Sequence, residues 1–96
     1  MASPHVDIQK LVPLCRLNDV SKLSVFGSLA RGEATENSDI DLLVEFRKPK
    51  SLLKFVALER QMSEVLGKRI DLLTEASISP YLRDRIKAEV RVIYEA

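Results

Sequence analysis

The sequence predicts a small α/β (α+β) fold, in which a mixed β-sheet has its helices packed mainly on one face. Short apolar strands alternate along the chain with amphipathic helical segments, an order that is typical of layered α/β domains. The clearest strand alternates apolar and polar side chains, so one face of the sheet is predicted to be core. The 96 residues, of which 46% are hydrophobic, predict a single domain over 1–96, with its core from about residue 20 and a helical segment over 1–19.

The first elements follow from apolar spacing. Apolar residues between Val6 and Cys15 recur at helical spacing, although Pro13 must kink, end or restart that helix. The segment 23–27 is predicted to be a strand that leads into a short helical turn. The next strand, predicted over 39–46, has an apolar residue at every even position: Ile40, Leu42, Val44 and Phe46.

The remaining elements complete the order α-β-(short α)-β-α-β-α-β. An amphipathic helix is predicted over 52–66, with Gly67 at the position where a helix C-terminus favours glycine. A third strand is predicted over 69–74 and a short final strand over 90–94. Pro80 can open the last helix. The apolar stripe of the longer helix is predicted to include Leu52, Phe55, Met62 and Leu66.

Composition excludes several classes of protein. The formal net charge of +1 gives no strong signal for binding nucleic acid, and the single cysteine, Cys15, allows no internal disulfide and no cysteine metal cage. The apolar runs are far shorter than the roughly 20 residues that cross a bilayer. Because no secretory signal is visible either, the cytoplasm is the expected location.

Three aspartates are predicted to share the polar face of the sheet. If Ile40 and Leu42 face the core, Asp39 and Asp41 point together to the opposite face, and the same alternation places Asp71 there on the third strand. The three carboxylates meet if the two strands are neighbours. Such carboxylates repel one another, and Mg²⁺ relieves that repulsion. The alternative is that the D-x-D pattern is only the solvated side of an exposed strand.

The turn after the first strand, G-S-L-A-R-G (27–32), can bind phosphate. Gly27 allows a ligand to approach the backbone closely, and Ser28 can cap a turn whose free N–H groups suit phosphate oxygens. Arg31 supplies a guanidinium that could brace a triphosphate. Taken alone, this turn could be a simple junction between strand and helix. Together with the downstream carboxylates, it predicts one site that holds both phosphate and metal.

These motifs resemble a known family. The stretch F-G-S-L-A-R-G-E-A-T-E-N-S-D-I-D-L-L-V (26–44) is similar to the signature of the DNA polymerase β-like nucleotidyltransferase superfamily, and most similar to the minimal nucleotidyltransferases, often called MNT or MntA-like proteins. The likeness runs from about Leu23 to the C-terminus. Its third aspartate matches Asp71 in R-I-D-L-L, and E-V-R-V-I-Y-E resembles the closing strand of the family.

The resemblance implies transfer of a nucleoside monophosphate from a nucleoside triphosphate, usually ATP, with two Mg²⁺ ions. Asp39 and Asp41 would hold both metals, and Asp71 would hold the catalytic metal near the attacking hydroxyl. Gly27 and Ser28 would grip the β- and γ-phosphates. Arg31 would support them, with Gly32 closing the same motif.

The resemblance also implies a partner. Many minimal members are antitoxins paired with a HEPN-domain toxin, and some adenylylate a tyrosine of that toxin. We therefore expect AMP transfer from ATP to a toxin hydroxyl, with acceptor specificity supplied by the partner, by another copy of the chain in a homo-oligomer, or by the substrate. Two alternatives remain: a non-catalytic antitoxin that neutralises its partner by binding, and a transferase acting on a small molecule such as an aminoglycoside. The presence of all three carboxylates favours catalysis.

Overall fold

One four-stranded sheet and three α-helices make up the computed structural model, which describes residues 6–27, 30–33 and 38–96. A 3₁₀ turn, Glu75–Ser77, follows the third strand. The elements in chain order are α1 (Ile8–Leu17), β1 (Val20–Phe26), β2 (Ile40–Phe46), α2 (Leu52–Leu66), β3 (Ile70–Leu73), α3 (Pro80–Glu89) and β4 (Arg91–Glu95).

The sheet is mixed, as predicted. Its strand order is β3-β2-β1-β4, with β1 antiparallel to both of its neighbours and β2 parallel to β3. The end of β1 and the beginning of β2 therefore lie at the same end of the sheet, where Phe26 pairs with Asp41 and the turn after Phe26 begins. This topology brings the predicted phosphate turn next to the predicted acidic strand.

The main core lies between one face of the sheet and helices α1 and α2. Leu23, Leu42 and Val44 from the strands are almost fully buried there, with Leu58 and Met62 from α2. The helix α2 begins where Ser51 accepts a hydrogen bond from the backbone N–H of Lys54 (3.2 Å) and ends at Gly67 in the left-handed conformation (φ 65°). The prediction that the helices pack mainly on one face is confirmed.

A smaller apolar cluster covers part of the second face. Phe26, Leu43 and Ile78 form its buried centre, and Ile86 of α3 packs against it. Leu43 follows Asp41 by two residues, so both side chains point to the same side of β2. The face that bears the acidic residues is therefore partly covered, which places the acids at the margin of an apolar cluster.

Two details of the predicted elements were wrong, and of the three effects predicted for Pro13 an end or restart of the helix is excluded. Leu52 is 77% exposed, because the buried stripe of α2 passes through Leu58 and Met62. Strand β1 begins at Val20, three residues early, since Val20 is buried and pairs with Phe46 across an irregularity in the ladder. Helix α1 continues through Pro13, whose ring lies on the exposed side.

The short helix predicted after Gly27 falls partly on residues 28 and 29, which lie outside the described residues. Residues 30–32 form a turn. Within the described ranges, no helix combines the length and the apolar character that crossing a membrane requires.

Candidate active site

Asp41 and Asp71 lie side by side on neighbouring strands. The parallel ladder between β2 and β3 places them directly opposite each other, with the buried pairs Ile40 with Ile70 and Leu42 with Leu72 on either side. Both carboxylates therefore point to the face opposite the main core. The predicted juxtaposition of these strands is confirmed. Asp39 immediately precedes β2 and is exposed.

The charge of Asp41 is destabilised in this position. Its pKa is raised, first because the carboxyl is partly buried, and then because the carboxylates of Asp71 and Asp39 repel its negative charge. The guanidinium of Arg31 offsets part of this effect. The folded chain therefore holds concentrated negative charge at this point, and a bound cation would relieve the repulsion.

The edge strand that carries Asp71 is fixed by α2. The backbone N–H groups on either side of Asp71 donate to side chains of this helix: Ile70 to Ser63 Oγ (3.2 Å) and Leu72 to Glu59 Oε2 (2.8 Å). These bonds satisfy donors that an edge strand would otherwise leave unpaired. Glu59 and Ser63 were not predicted from the sequence, where the only signal is that they lie four residues apart on one helix face.

The turn at Gly27 packs against Asp41. Gly27 has a φ of 72°, and a Cβ added to it would clash with Oδ2 of Asp41. The backbone N–H of Arg31 donates back to the carbonyl of Gly27 (3.1 Å), which closes the turn. Glycine is therefore favoured here, both for its conformation and because a Cβ would displace the carboxylate of Asp41.

Arg31 is held by two carboxylates that the sequence did not indicate. Its Nε contacts Glu33 Oε1 at 2.7 Å, and its Nη1 contacts Glu89 Oε2 at 3.3 Å. Its pKa is raised, chiefly by the hydrogen bond to Glu33. The guanidinium lies near enough to Asp41 to affect the charge of that carboxyl, so Arg31 and the acidic residues form one electrostatic unit.

Two other residues, Ser28 and Gly32, belong to the predicted phosphate turn. Ser28 lies outside the described residues. Gly32 also has a positive φ (74°), but a Cβ at that position would meet nothing within 4 Å. Gly32 is exposed, and its conformation rather than a close contact is what favours glycine there.

The described residues contain no group of three acidic, histidine or cysteine side chains that converge closely enough to form a metal cage. This arrangement is compatible with Mg²⁺, which usually keeps several water molecules and takes only one or two carboxylates together with substrate phosphates. The adjacent carboxylates of Asp41 and Asp71, with the raised pKa of the former, fit that pattern.

A cavity lies near the other end of β2. It has a volume of about 440 Å³, and Phe46, Leu72 and Thr74 are among its lining residues. Lys50, from the basic segment after β2, also lines it but forms an ion pair with Asp19 (2.8 Å). This contact tethers the loop to the turn before β1. Asp39, Asp41 and Asp71, which we call the acidic edge, are not among the residues that line this cavity.

Comparison with known proteins agrees with this assignment. The family model of the nucleotidyltransferase domain matches residues 9–93. A Methanocaldococcus jannaschii protein, provisionally named a protein adenylyltransferase, is 51% identical over 81 residues that span 84% of this chain and 87% of the relative. The protein adenylyltransferase MntA of Thermococcus cleftensis is 44% identical over 71 residues, spanning 74% and 72%. The chain therefore belongs to the nucleotidyltransferase domain family, and the predicted resemblance is confirmed.

Solved structures share the fold. A structure provisionally described as a minimal nucleotidyltransferase has a TM-score of 0.73 at 36% identity, covering 91% of this chain and 96% of that one. A chain of a toxin–antitoxin crystal structure with AMP-PNP has a TM-score of 0.80 at 22% identity (95% and 75% covered). A chain of a complex between a tri-AMPylated Shewanella oneidensis HEPN toxin and an MNT antitoxin has a TM-score of 0.69 at 20% identity (92% and 69%).

Proposed function

We propose that the chain transfers AMP from ATP to a hydroxyl group of a protein partner, a HEPN-type toxin, and thereby acts as its antitoxin. The main support is that the paired carboxylates of Asp41 and Asp71 lie beside the Gly27 turn and Arg31. The residues that we assign to metal and those that we assign to phosphate are thus close together. The names of the relatives, protein adenylyltransferases, support AMP as the transferred group.

The residues divide into two sets by chemistry. Asp39, Asp41 and Asp71 would hold Mg²⁺, which supplies positive charge against both the carboxylates and the triphosphate. Gly27 lets the phosphates approach the backbone, and Arg31 binds them through its guanidinium. Ser28 and Gly32 belong to the same segment, and we assign them to the phosphates on the strength of the motif. AMP-PNP in a related toxin–antitoxin structure supports ATP as the donor.

The reaction is a displacement at the α-phosphorus. The acceptor oxygen forms a bond to that phosphorus, and the bond between the phosphorus and the oxygen bridging to the β-phosphate breaks. Pyrophosphate leaves with the electron pair of that bond, and the hydroxyl proton is released to water. The chain would contribute by orienting the triphosphate against the acidic edge. Asp39 and Asp71 are exposed, so an acceptor can approach them from solvent.

The acceptor is a tyrosine of the partner. Asp39 and Asp71 are exposed, so their side chains are open to a docked protein. An open surface retains a free small molecule poorly, whereas a docked protein holds its own side chain against that surface. The tri-AMPylated toxin in complex with a related antitoxin supports a protein acceptor.

Mass spectrometry of the partner tests this function. The chain, a HEPN-domain protein from the same genome, Mg²⁺ and ATP are incubated together, and tryptic peptides of both proteins are searched for added AMP. We expect AMP on a tyrosine of the HEPN-domain protein, and none with the double variant Asp39→Asn with Asp41→Asn. The matched control is Asp7→Asn with Glu64→Gln, which removes the same number of charges. Asp7 is exposed at the start of α1, and Glu64 is exposed on α2.

Two outcomes would favour the other functions. If the double aspartate variant still neutralises the toxin fully and no AMP is found on it, the chain is a binding antitoxin. If AMP appears on an added aminoglycoside but not on the HEPN-domain protein, the chain is a small-molecule transferase.

A further inference from the structure

Glu89 lies beside the Gly27 turn, on the side away from the acidic strands. It is the last residue of α3, immediately before β4. In the antiparallel ladder between β1 and β4, Val25 pairs with Arg91. Gly27 follows Val25 by two residues, just after β1, and Glu89 precedes Arg91 by two residues, just before β4. Asp41 approaches Gly27 from the β2 side, and Glu89 on the β4 side contacts Arg31, whose backbone N–H closes the turn.

The Glu89 carboxylate contacts the Arg31 guanidinium through both oxygens. Nη1 of Arg31 lies 3.3 Å from Oε2 and 3.5 Å from Oε1. The Glu89 side chain is 20% exposed, whereas Glu33, which contacts Nε of the same arginine, is 63% exposed. An exposed carboxylate on a loop exchanges readily with water. Glu33 makes the shorter contact, but Glu89 is largely buried at a helix end and therefore offers the guanidinium a contact at a fixed place.

We infer that Glu89 is a positioning residue that fixes the Arg31 guanidinium beside the Gly27 turn, in the orientation that binds the triphosphate. This inference rests on the proposed function, in which Arg31 binds phosphate. The contact with Glu89 engages only Nη1, and a guanidinium carries more N–H donors than the contacts with Glu89 and Glu33 use. The plane of the group is therefore fixed while donors remain for phosphate oxygens.

The charge balance around Glu89 favours positioning over competition. Arg85 Nε lies 3.7 Å from Oε1 of Glu89, so this carboxylate lies between two guanidinium groups. Glu89 therefore shares its negative charge between Arg31 and Arg85, although Glu33 also pairs with Arg31. If Glu89 instead competed with phosphate for Arg31, removing its charge would strengthen nucleotide binding. The two possibilities therefore predict opposite changes in nucleotide affinity when the charge of Glu89 is removed.

A double-mutant cycle measures this effect. Binding of AMP-PNP with Mg²⁺ is followed by calorimetry for the parent chain, Glu89→Gln, Arg31→Ala and the double variant, and KM for ATP and kcat are measured in the transfer assay. We expect Glu89→Gln to weaken binding and to raise KM about fivefold to tenfold. The value of kcat should stay within about twofold, because the interaction is made equally in ground and transition states. In the Arg31→Ala background, Glu89→Gln should have no further effect.

The matched control is Glu95→Gln, which removes the same charge at the exposed far end of β4 and should leave binding unchanged. Unchanged or tighter binding by Glu89→Gln, or equal losses with and without Arg31, would overturn the inference. If AMP-PNP binding follows the expected cycle while no transfer occurs, the inference stands and the proposed function fails. If transfer occurs but Glu89→Gln binds normally, the function stands and the inference fails.

Discussion

Replacing Gly27 with alanine should impose two separable penalties. The first is a backbone penalty, because Gly27 has a φ of 72°, and a residue with a Cβ is disfavoured there by about 1–2 kcal/mol. For a domain of this size, a loss of that order corresponds to a fall in melting temperature of roughly 4–16 °C. Any left-handed glycine in the chain should show a similar loss of stability.

The second penalty is specific to the site. A Cβ at Gly27 would clash with Oδ2 of Asp41 and lie 3.2 Å from its Cγ. The clash is with the end of a side chain, so it is relieved when the carboxylate moves away from the turn. A displacement of about 1 Å in a catalytic group can reduce a rate by roughly a hundredfold. We therefore expect Gly27→Ala to lose AMP transfer by about that factor, in addition to its loss of stability.

Gly67→Ala provides the matched control. Gly67 has a similar φ (65°), but a Cβ there would meet nothing within 4 Å, and the residue lies at the end of α2. Both variants are compared by thermal unfolding and by the initial rate of AMP transfer at a temperature where both remain folded. Similar losses of melting temperature with a loss of transfer only in Gly27→Ala support the account. Full transfer by Gly27→Ala, or an equal loss in Gly67→Ala, would refute the proposed role of the close contact with Asp41.

Three further predictions concern the acidic edge and the strand that supports it. Mg²⁺ at ten times its dissociation constant should stabilise the chain by about 1.4 kcal/mol, or roughly 5–10 °C in melting temperature, and an unchanged melt with and without ATP would contradict the metal site. Because the pKa of Asp41 is raised on folding, its ionised form reduces stability above that pKa, and this loss disappears as the pH falls towards the pKa of the unfolded chain. Asp41→Asn should therefore raise the melting temperature at pH 7 in metal-free buffer, and this gain should shrink as the pH is lowered. The same variant should lose AMP transfer by about a hundredfold. A lower melting temperature at pH 7 would contradict the repulsion among the carboxylates. Glu59→Ala should lower the free energy of unfolding, measured by urea denaturation, by about 1–3 kcal/mol, because the N–H of Leu72 loses its acceptor. The control Glu64→Ala, at an exposed position of the same helix, should not change it. Equal effects of the two variants would show that the bond contributes little.

The elements with local signals were predictable from the sequence. The span of α2 was predicted correctly, because a helical apolar pattern ends at Gly67 and that glycine adopts the left-handed conformation. Pro80 opens α3 for a similarly local reason, its preset φ and missing N–H. The alternation along β2 placed Asp41 opposite the core, and the parallel register with β3 then brought Asp71 beside it. Their positions are confirmed, and their roles as metal ligands stay predictions.

The contacts that complete the site were not predictable, because they depend on tertiary register. Arg31 and Glu89 are 58 residues apart in sequence, and their contact exists only because β4 pairs with β1. The bond from Leu72 to Glu59 requires α2 to lie along the outer edge of β3. The exposure of Leu52 has a similar origin, since the direction in which α2 crosses the sheet determines which apolar residues are buried.

The most direct test of the central claim is the fate of each phosphate of ATP. The chain and a HEPN-domain protein from the same genome are incubated with Mg²⁺ and ATP radiolabelled on either the α- or the γ-phosphate, and the label on each protein is counted after separation. Nucleotidyl transfer at the edge formed by Asp41 and Asp71 predicts that α-label appears on the HEPN-domain protein and that γ-label leaves as pyrophosphate. Label from the γ-phosphate on that protein, or no label from either position, would contradict the account.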